Sequence, residues 1–230
     1  MSQGLPQNTE KISNTIVKEL LQSVKRLQNG DISKIMNRMG LFYKYNYGVS
    51  IPQLRQMADK YEPNNEAAFI LFNQEIREAK ILSSILIENK KLSFEDARRI
   101  GVEIDNQEIV EQFSRNVFSQ VPFLFELLES WIQGNKWNKI LCFYSLGWLF
   151  KIQDEVNDNC LLWFKKQCFV EAESDDLLIQ QAISFAMQSI GSKSDILKQE
   201  MTKMADRMME SEKKSVCRAA EDFKWLNAIY

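Results

Sequence analysis

Residues 179–183 of the chain are Ile179-Gln180-Gln181-Ala182-Ile183, and the small residue in this stretch has counterparts on both sides of it. Cys142 lies 40 residues before Ala182, and Ala219 lies 37 residues after it. Ala79 lies 63 residues before Cys142, which is close to two such intervals. A small residue that recurs in this way indicates units of about 30–40 residues with two helices each, as in HEAT-type repeats.

The sequence therefore predicts an all-α protein, a curved α-solenoid of HEAT-like two-helix repeats (an alpha-alpha superhelix). Each unit buries its apolar face only against its neighbours, and the small residues let two helices approach closely. We expect the inner helices of such a stack to line a concave groove. Strand patterns are absent, and the alternative fold is an irregular helical bundle. Residues 1–230 are expected to form a single domain, with a flexible segment expected at residues 1–8.

Helix boundaries are indicated by local residues. Residues 9–29 place apolar side chains at steps of three and four, which predicts an amphipathic helix. Gly30 follows it and suits the left-handed position after a helix. Ser50 is expected to be an N-cap with Pro52 in the first turn, and Ser93 begins a sequence that resembles a capping box.

Composition excludes several classes of enzyme. The 230 residues include no histidine, so Ser-His-Asp hydrolysis, Cys-His proteolysis and His-ligated zinc are ruled out. The chain also lacks a Gly-x-Ser-x-Gly motif, a phosphate-binding loop and a cluster of metal ligands. Composition thus narrows the choice of function without naming one.

The four cysteines, Cys142, Cys160, Cys168 and Cys217, match no zinc ribbon or CxxC spacing. We therefore expect buried free thiols in a reducing cytosol. The N-terminus is polar, and no apolar run reaches the ~18 residues of a membrane span. A cytoplasmic protein without a membrane or metal partner is the expectation.

Charge is distributed unevenly along the chain. Residues 1–100 hold 15 Lys and Arg against 11 Asp and Glu, and residues 101–230 hold 14 against 20. The net charges are therefore +4 and −6, which sum to −2 for the whole chain. Because proteins that bind the phosphate backbone usually have a basic excess, any nucleic-acid role must depend on a local patch.

Three blocks of sequence resemble a known family. They are Tyr47-Gly48-Val49-Ser50-Ile51-Pro52-Gln53-Leu54-Arg55, Glu75-Ile76-Arg77-Glu78-Ala79-Lys80-Ile81-Leu82 and the stretch at residues 179–183. In order and spacing they are similar to the DNA alkylation repair proteins built from HEAT-like repeats, the AlkD-type alkylpurine DNA glycosylases. The resemblance covers roughly residues 30–230, and each block alone is a weak signal.

The resemblance implies excision of N3- or N7-alkylated purines from duplex DNA by a monomer that needs no cofactor. The alkylated base is a cation and a good leaving group. Such chemistry requires a carboxylate that stabilises the positive charge developing on the sugar. Aromatic faces contact the cationic nucleotide, and Arg or Lys side chains hold phosphates.

The resemblance also implies site residues, and this chain departs from the family at some of them. Gln107 stands where the family has Trp, and Glu111 stands where it has the catalytic Asp. Glu108 matches a neighbouring acidic position. Glu111 and Glu108 are therefore the candidate catalytic residues, although Glu carries its carboxylate ~1.5 Å further out than Asp.

Some of the candidate DNA-binding residues follow from the resemblance, and the others are cations or aromatic residues that could line the groove. Lys139 is the cation nearest to the family's phosphate-handling Arg, one residue out of register, and Phe185 stands where the family has a second Trp. The full set expected to contact DNA is Gln107, Lys136, Trp137, Lys139, Phe185, Arg77 and Lys80.

Alternatives remain open from the sequence. Glu108 and Glu111 could lie on an ordinary solvated helix face. The tryptophans could be core residues, above all Trp148 in its apolar run, while Trp137 would suit the edge of a groove. The alternative function is a non-enzymatic HEAT-repeat scaffold that binds a protein or DNA without excision, which the charge of −6 over residues 101–230 favours.

Overall fold

The computed structural model describes the backbone of residues 5–154 and 158–229, with side chains described for residues 10–154 and 158–225. Contacts between Cα atoms group the chain into two compact units, Met1–Leu92 and Ser93–Tyr230. The described residues contain thirteen α-helices and no strand; one isolated parallel bridge joins Tyr45 to Ile76. None of the helices in the described part is long and apolar enough to cross a membrane.

The first unit consists of five α-helices, in which α5 packs on α3 and α4, and α1 packs on the same two helices. The structure describes α1 from Leu5, so residues 1–4 of the expected flexible segment lie outside the described part. The helix bounds are α1 Leu5–Arg26, α2 Gly30–Arg38, α3 Ile51–Ala58, α4 Asn65–Phe72 and α5 Arg77–Leu86.

A capped loop leads into α3. The Ser50 hydroxyl accepts a hydrogen bond from the Gln53 backbone N–H, and the Gln53 side chain accepts one from the Ser50 N–H at 3.1 Å. With Pro52 in the first turn, this confirms the predicted N-cap. Gly48 has a φ of +70°, and a Cβ there would lie 2.2 Å from the Asn29 carbonyl oxygen, so only glycine fits.

A buried ion pair holds that loop against α5. Glu78 accepts hydrogen bonds from the backbone N–H groups of Tyr47 (3.1 Å) and Val49 (3.2 Å) and from the Arg77 guanidinium (3.0 Å). The guanidinium also donates to the Val49 carbonyl at 2.8 Å. Both ionised side chains are 1% exposed or less. Two of the sequence blocks that carry the family resemblance are thus joined by a structural network.

The second unit is built around a row of four helices, because α7 packs on α9, α9 on α11, and α11 on α13. We call this the first row. α8 packs on α9, α10 on α11, and α12 on α11 and α13, so these helices back the first row. The bounds are α6 Phe94–Glu103, α7 Gln107–Asn116, α8 Leu124–Trp131, α9 Lys136–Ile152, α10 Asp158–Ala172, α11 Leu177–Gly191, α12 Asp195–Met209 and α13 Lys214–Ile229.

The recurring small residues lie where the helices are in closest contact. Ala79 is in α5, and Cys142, Ala182 and Ala219 are in α9, α11 and α13 of the first row. All four are completely buried. Because a small side chain allows close approach, these positions support the stacking of successive helix pairs that the sequence predicted.

Two local expectations were wrong. Gly30 does not end the first helix in a left-handed conformation; it is the first residue of α2, whose N-cap Asn29 accepts hydrogen bonds from the N–H groups of Asp31 and Ile32. Helix α4 was not expected from the sequence. The expectation of one domain over residues 1–230 remains a prediction.

Candidate nucleic-acid interface

The predicted catalytic helix is α7. The Asn106 side chain caps it by accepting a hydrogen bond from the Ile109 N–H at 3.1 Å. Steps of four residues place Gln107, Glu111 and Arg115 along one face of this helix. On the same side of α7, the buried hydroxyl of Ser145 donates to that of Ser114 at 3.1 Å and so joins α9 to α7.

Helix α9 supplies the next stripe of the site. Most of its residues are buried, because it packs between α7 and α11 and against α8. Tyr144, Trp148 and Lys151 follow one another at steps of four and three on one side of α9. Tyr144 is buried, Trp148 half-buried and Lys151 exposed, so this side opens to solvent toward the end of the helix. Trp148 is only half-buried, so the expectation that it is a core residue was wrong.

Three aromatic rings on α9 and α11 form what we call the aromatic patch: Tyr144, Trp148 and Phe185. The rings of Tyr144 and Phe185 are stacked, with centroids 4.9 Å apart and planes at 29°. Trp148 contacts Phe185 at 5.7 Å between centroids. Gly147 makes room for this arrangement, since a Cβ there would lie 2.5 Å from Cε1 of Phe185.

Glu111 lies at the edge of the aromatic patch. Its carboxylate accepts a hydrogen bond from Nε2 of Gln107 at 3.0 Å. Burial raises the pKa of Glu111 above its ordinary value; Gln107 and the nearby Tyr144 hydroxyl oppose this shift, and the charge of Glu108 adds to it. Burial and the nearby Glu111 raise the pKa of Tyr144 to about 12, so its hydroxyl keeps its proton and remains a donor.

Two cations flank the aromatic patch on its other side. The Arg115 guanidinium lies 4.9 Å from the centre of the Trp148 ring, and the Lys151 ammonium lies 5.3 Å from the same ring and 4.6 Å from that of Phe185. Burial and the charge of Arg115 both lower the pKa of Lys151. Among the described residues, neither cation has a carboxylate within ion-pair distance.

The lysines of α9 that were expected to contact DNA lie elsewhere on that helix. Lys136 pairs with Asp176 at 3.3 Å and lies 4.6 Å from the Trp137 ring centre, and Lys139 pairs with Glu171 at 2.8 Å. Lys139 is separated from Tyr144 by about 140° around the helix. The structure therefore does not bring Lys136 and Lys139 to Glu111. Trp137, half-buried, shares the face of Tyr144 two turns away.

The two cations predicted in the first unit are engaged in structural contacts. Arg77 is 1% exposed and belongs to the network with Glu78, so it has no surface with which to contact a phosphate. Lys80 is half-buried; its ammonium donates to the Phe72 carbonyl at 3.1 Å and lies 4.6 Å from the Phe72 ring centre. We therefore assign both residues to the stability of the fold.

Four residues of the candidate interface were absent from the predicted site: Arg115, Tyr144, Trp148 and Lys151. Arg115 could have been found, because it continues the four-residue spacing of Gln107 and Glu111. The apolar sequence of α9 hides the other three, since it gives no indication of which side stays open.

The buried thiols offer no competing site. Burial raises the pKa of Cys168 to about 12, and that of Cys142 is also well above its ordinary value. Neither can supply a thiolate near neutral pH. In the described part of the chain, no group of three or more Cys, Asp or Glu side chains is placed to hold a metal ion.

Comparison with known proteins defines the class to which this fold and site belong. The family model for DNA alkylation repair enzymes matches residues 20–213, and the chain belongs to this family. No curated protein matches it significantly.

A solved structure is similar over 82% of this chain and 81% of its own, with a TM-score of 0.68 and 15% sequence identity. It belongs to what is described as a new family of proteins related to the HEAT-like repeat DNA glycosylases, with affinity for branched DNA structures. This likeness and the helical architecture confirm the predicted all-α fold of HEAT-like repeats, and the family match confirms the resemblance found in the three sequence blocks.

Proposed function

We propose that the chain binds duplex DNA through the exposed side of α7, α9 and α11. The observation that carries this proposal is the pair of cations, Arg115 and Lys151, beside the aromatic patch with no carboxylate partner among the described residues. A net charge of −6 over residues 101–230 opposes general attraction to DNA. Local cations that no carboxylate of the described residues neutralises are therefore the groups that phosphates would contact.

We further propose that Glu111 faces an N3- or N7-alkylated purine nucleotide and promotes its excision. In this reaction the bond from C1′ to the base nitrogen breaks, and its electron pair leaves with the base, which thereby loses its positive charge. The oxygen of water bonds to C1′ and a proton is released. The ionised carboxylate of Glu111 would stabilise the positive charge on the sugar, and the aromatic patch would contact the cationic nucleotide.

A second candidate is DNA binding without excision. Gln107 stands where the family has an aromatic residue. Its side-chain amide donates a hydrogen bond to Oε1 of Glu111 and so uses one of the two carboxylate oxygens. The Tyr144 hydroxyl engages the carboxylate as well. These contacts compete with a water or a sugar for the same oxygens. The similar solved structure belongs to proteins described by their affinity for branched DNA, which makes a branched substrate part of the test.

Binding is tested by fluorescence anisotropy with a labelled duplex and a labelled four-way junction. The double variant R115A/K151A should lose about tenfold or more in affinity, because a hydrogen bond to a charged group is worth about 1.5–3 kcal/mol. The control R207A/K166A removes the same charges from exposed positions on α12 and α10 and should bind like the wild type. Equal effects of the two variants, or no binding by the wild type, would favour the protein-binding scaffold.

Excision is tested by release of 7-methylguanine from alkylated DNA. The wild type should release the base, and E111Q should lose at least about a hundredfold in rate because the charge that stabilises the sugar cation is removed. Y144F keeps the ring and removes the hydroxyl beside the carboxylate. It should retain release. Binding without any release by the wild type would support the second candidate.

A further inference from the structure

A cavity adjoins the aromatic patch, between α11 and α13. It has a volume of about 300 Å³ and shares Phe185 with the patch. Its most unusual residue is Trp225, which is 66% exposed. The cavity is lined by Gln181, Ser184, Phe185, Gln188, Asp222 and Trp225.

The side chains around this cavity suit a nucleobase. An indole and a phenyl ring offer flat apolar faces on which any base can stack. Gln181 and Gln188 each carry a donor and an acceptor on one amide, which is the combination that pairs with base edges. The side-chain amide of Gln188 donates one hydrogen bond to the Ser184 hydroxyl at 3.2 Å. Its side-chain carbonyl oxygen remains available as an acceptor. The volume lies at the lower end of the range for small-ligand sites.

We infer that this cavity receives an unpaired nucleobase of the bound DNA, stacked on Trp225. The inference rests on the proposed DNA binding. Lys151 lies 4.6 Å from the Phe185 ring centre, so a nucleotide with its base in the cavity would have a cation near the shared ring for its phosphate. The bases of an intact duplex are stacked inside the helix and cannot enter. Only a bulged, flipped or single-stranded nucleotide can do so.

The experiment compares two labelled DNAs of equal length, one fully paired and one with a single-nucleotide bulge. The wild type should prefer the bulged DNA. W225A should lower affinity for the bulged DNA by about 5- to 150-fold, which is the effect of removing one base–aromatic stack. Its affinity for the paired duplex should not change. W225F retains an aromatic face and should keep most of the preference.

Two controls make the result specific. F42A removes another exposed aromatic side chain, 75% exposed in the first unit, and should affect neither DNA. Thermal unfolding of W225A should match the wild type, because the indole is largely outside the core. If W225A weakens both DNAs equally, or if the wild type binds both DNAs equally well, the inference is wrong while duplex binding stands. If the wild type binds neither DNA, the proposed function fails first.

Discussion

The substitution Gly147→Ala tests how the aromatic patch is assembled. A Cβ at this position would lie 2.5 Å from Cε1 and 2.7 Å from Cδ1 of Phe185, and 3.3 Å from Cα of Ala186. Carbon atoms normally approach to about 3.5–4.0 Å, so the ring must move by roughly 1 Å. Such overpacking costs about 1–3 kcal/mol. Replacing a helical glycine by alanine returns up to about 1 kcal/mol. The net expectation is a loss of up to about 2 kcal/mol in the free energy of unfolding.

Urea unfolding of G147A and of a matched variant measures this balance. Gly191 ends α11, and a Cβ there would make only an ordinary contact, 3.5 Å from Cα of Lys198. G191A should therefore be neutral or more stable than the wild type. G147A should also weaken DNA binding, since the moved ring loses its stack on Tyr144. If both variants are equally stable and bind DNA equally well, the close approach of Phe185 to α9 is not what shapes the patch.

Three further predictions concern burial and charge. E78A should lower the free energy of unfolding by about 3–5 kcal/mol, because it leaves the buried Arg77 guanidinium without its carboxylate. E75A breaks only an exposed ion pair with Lys44 and should lower the free energy of unfolding by less than about 1 kcal/mol in the same urea titration. Because burial raises the pKa of Glu111 in the folded protein, wild-type stability should fall as pH rises through that pKa. E111Q should lack this fall, so its free energy of unfolding relative to the wild type should rise from about pH 4 to about pH 7. A difference between the two proteins that does not change with pH would contradict the raised pKa of Glu111. Cys217, the half-buried cysteine, should react first with a thiol reagent in the native protein, and equal rates at all four cysteines would refute the burial of the others.

The fold could be predicted because its signals are local and periodic. Amphipathic stripes and caps depend on neighbours in sequence, and the expected N-cap at Ser50 agrees with the structure. Helix α4 could not be predicted because its sequence is apolar almost all round. Four of its eight residues are buried, and its apolar side chains do not form a stripe along one face. The prediction at Gly30 was wrong because an Asn-Gly pair can either end one helix or begin the next. Here the Asn29 side chain caps α2, which begins at Gly30.

The site could be predicted only in the part that lies on one helix. Gln107 and Glu111 are four residues apart on α7, and their hydrogen bond follows from that spacing. Tyr144 and Lys151 lie near the same face because α9 packs on α7. Such packing between distant segments cannot be predicted from the spacing of residues in one sequence. Arg77 lies in a block that resembles the family, but in this chain it pairs with Glu78 and holds the loop before α3, a role that the sequence does not separate from phosphate binding.

The most direct test of DNA binding by this face is the salt dependence of affinity for a duplex. For the wild type, the logarithm of the binding constant should fall linearly with the logarithm of salt concentration. R115A/K151A should reduce the steepness of that line by about 2, one for each lost phosphate contact, whereas R207A/K166A should leave it unchanged. An unchanged slope in R115A/K151A would show that DNA, if bound at all, is held by a different surface.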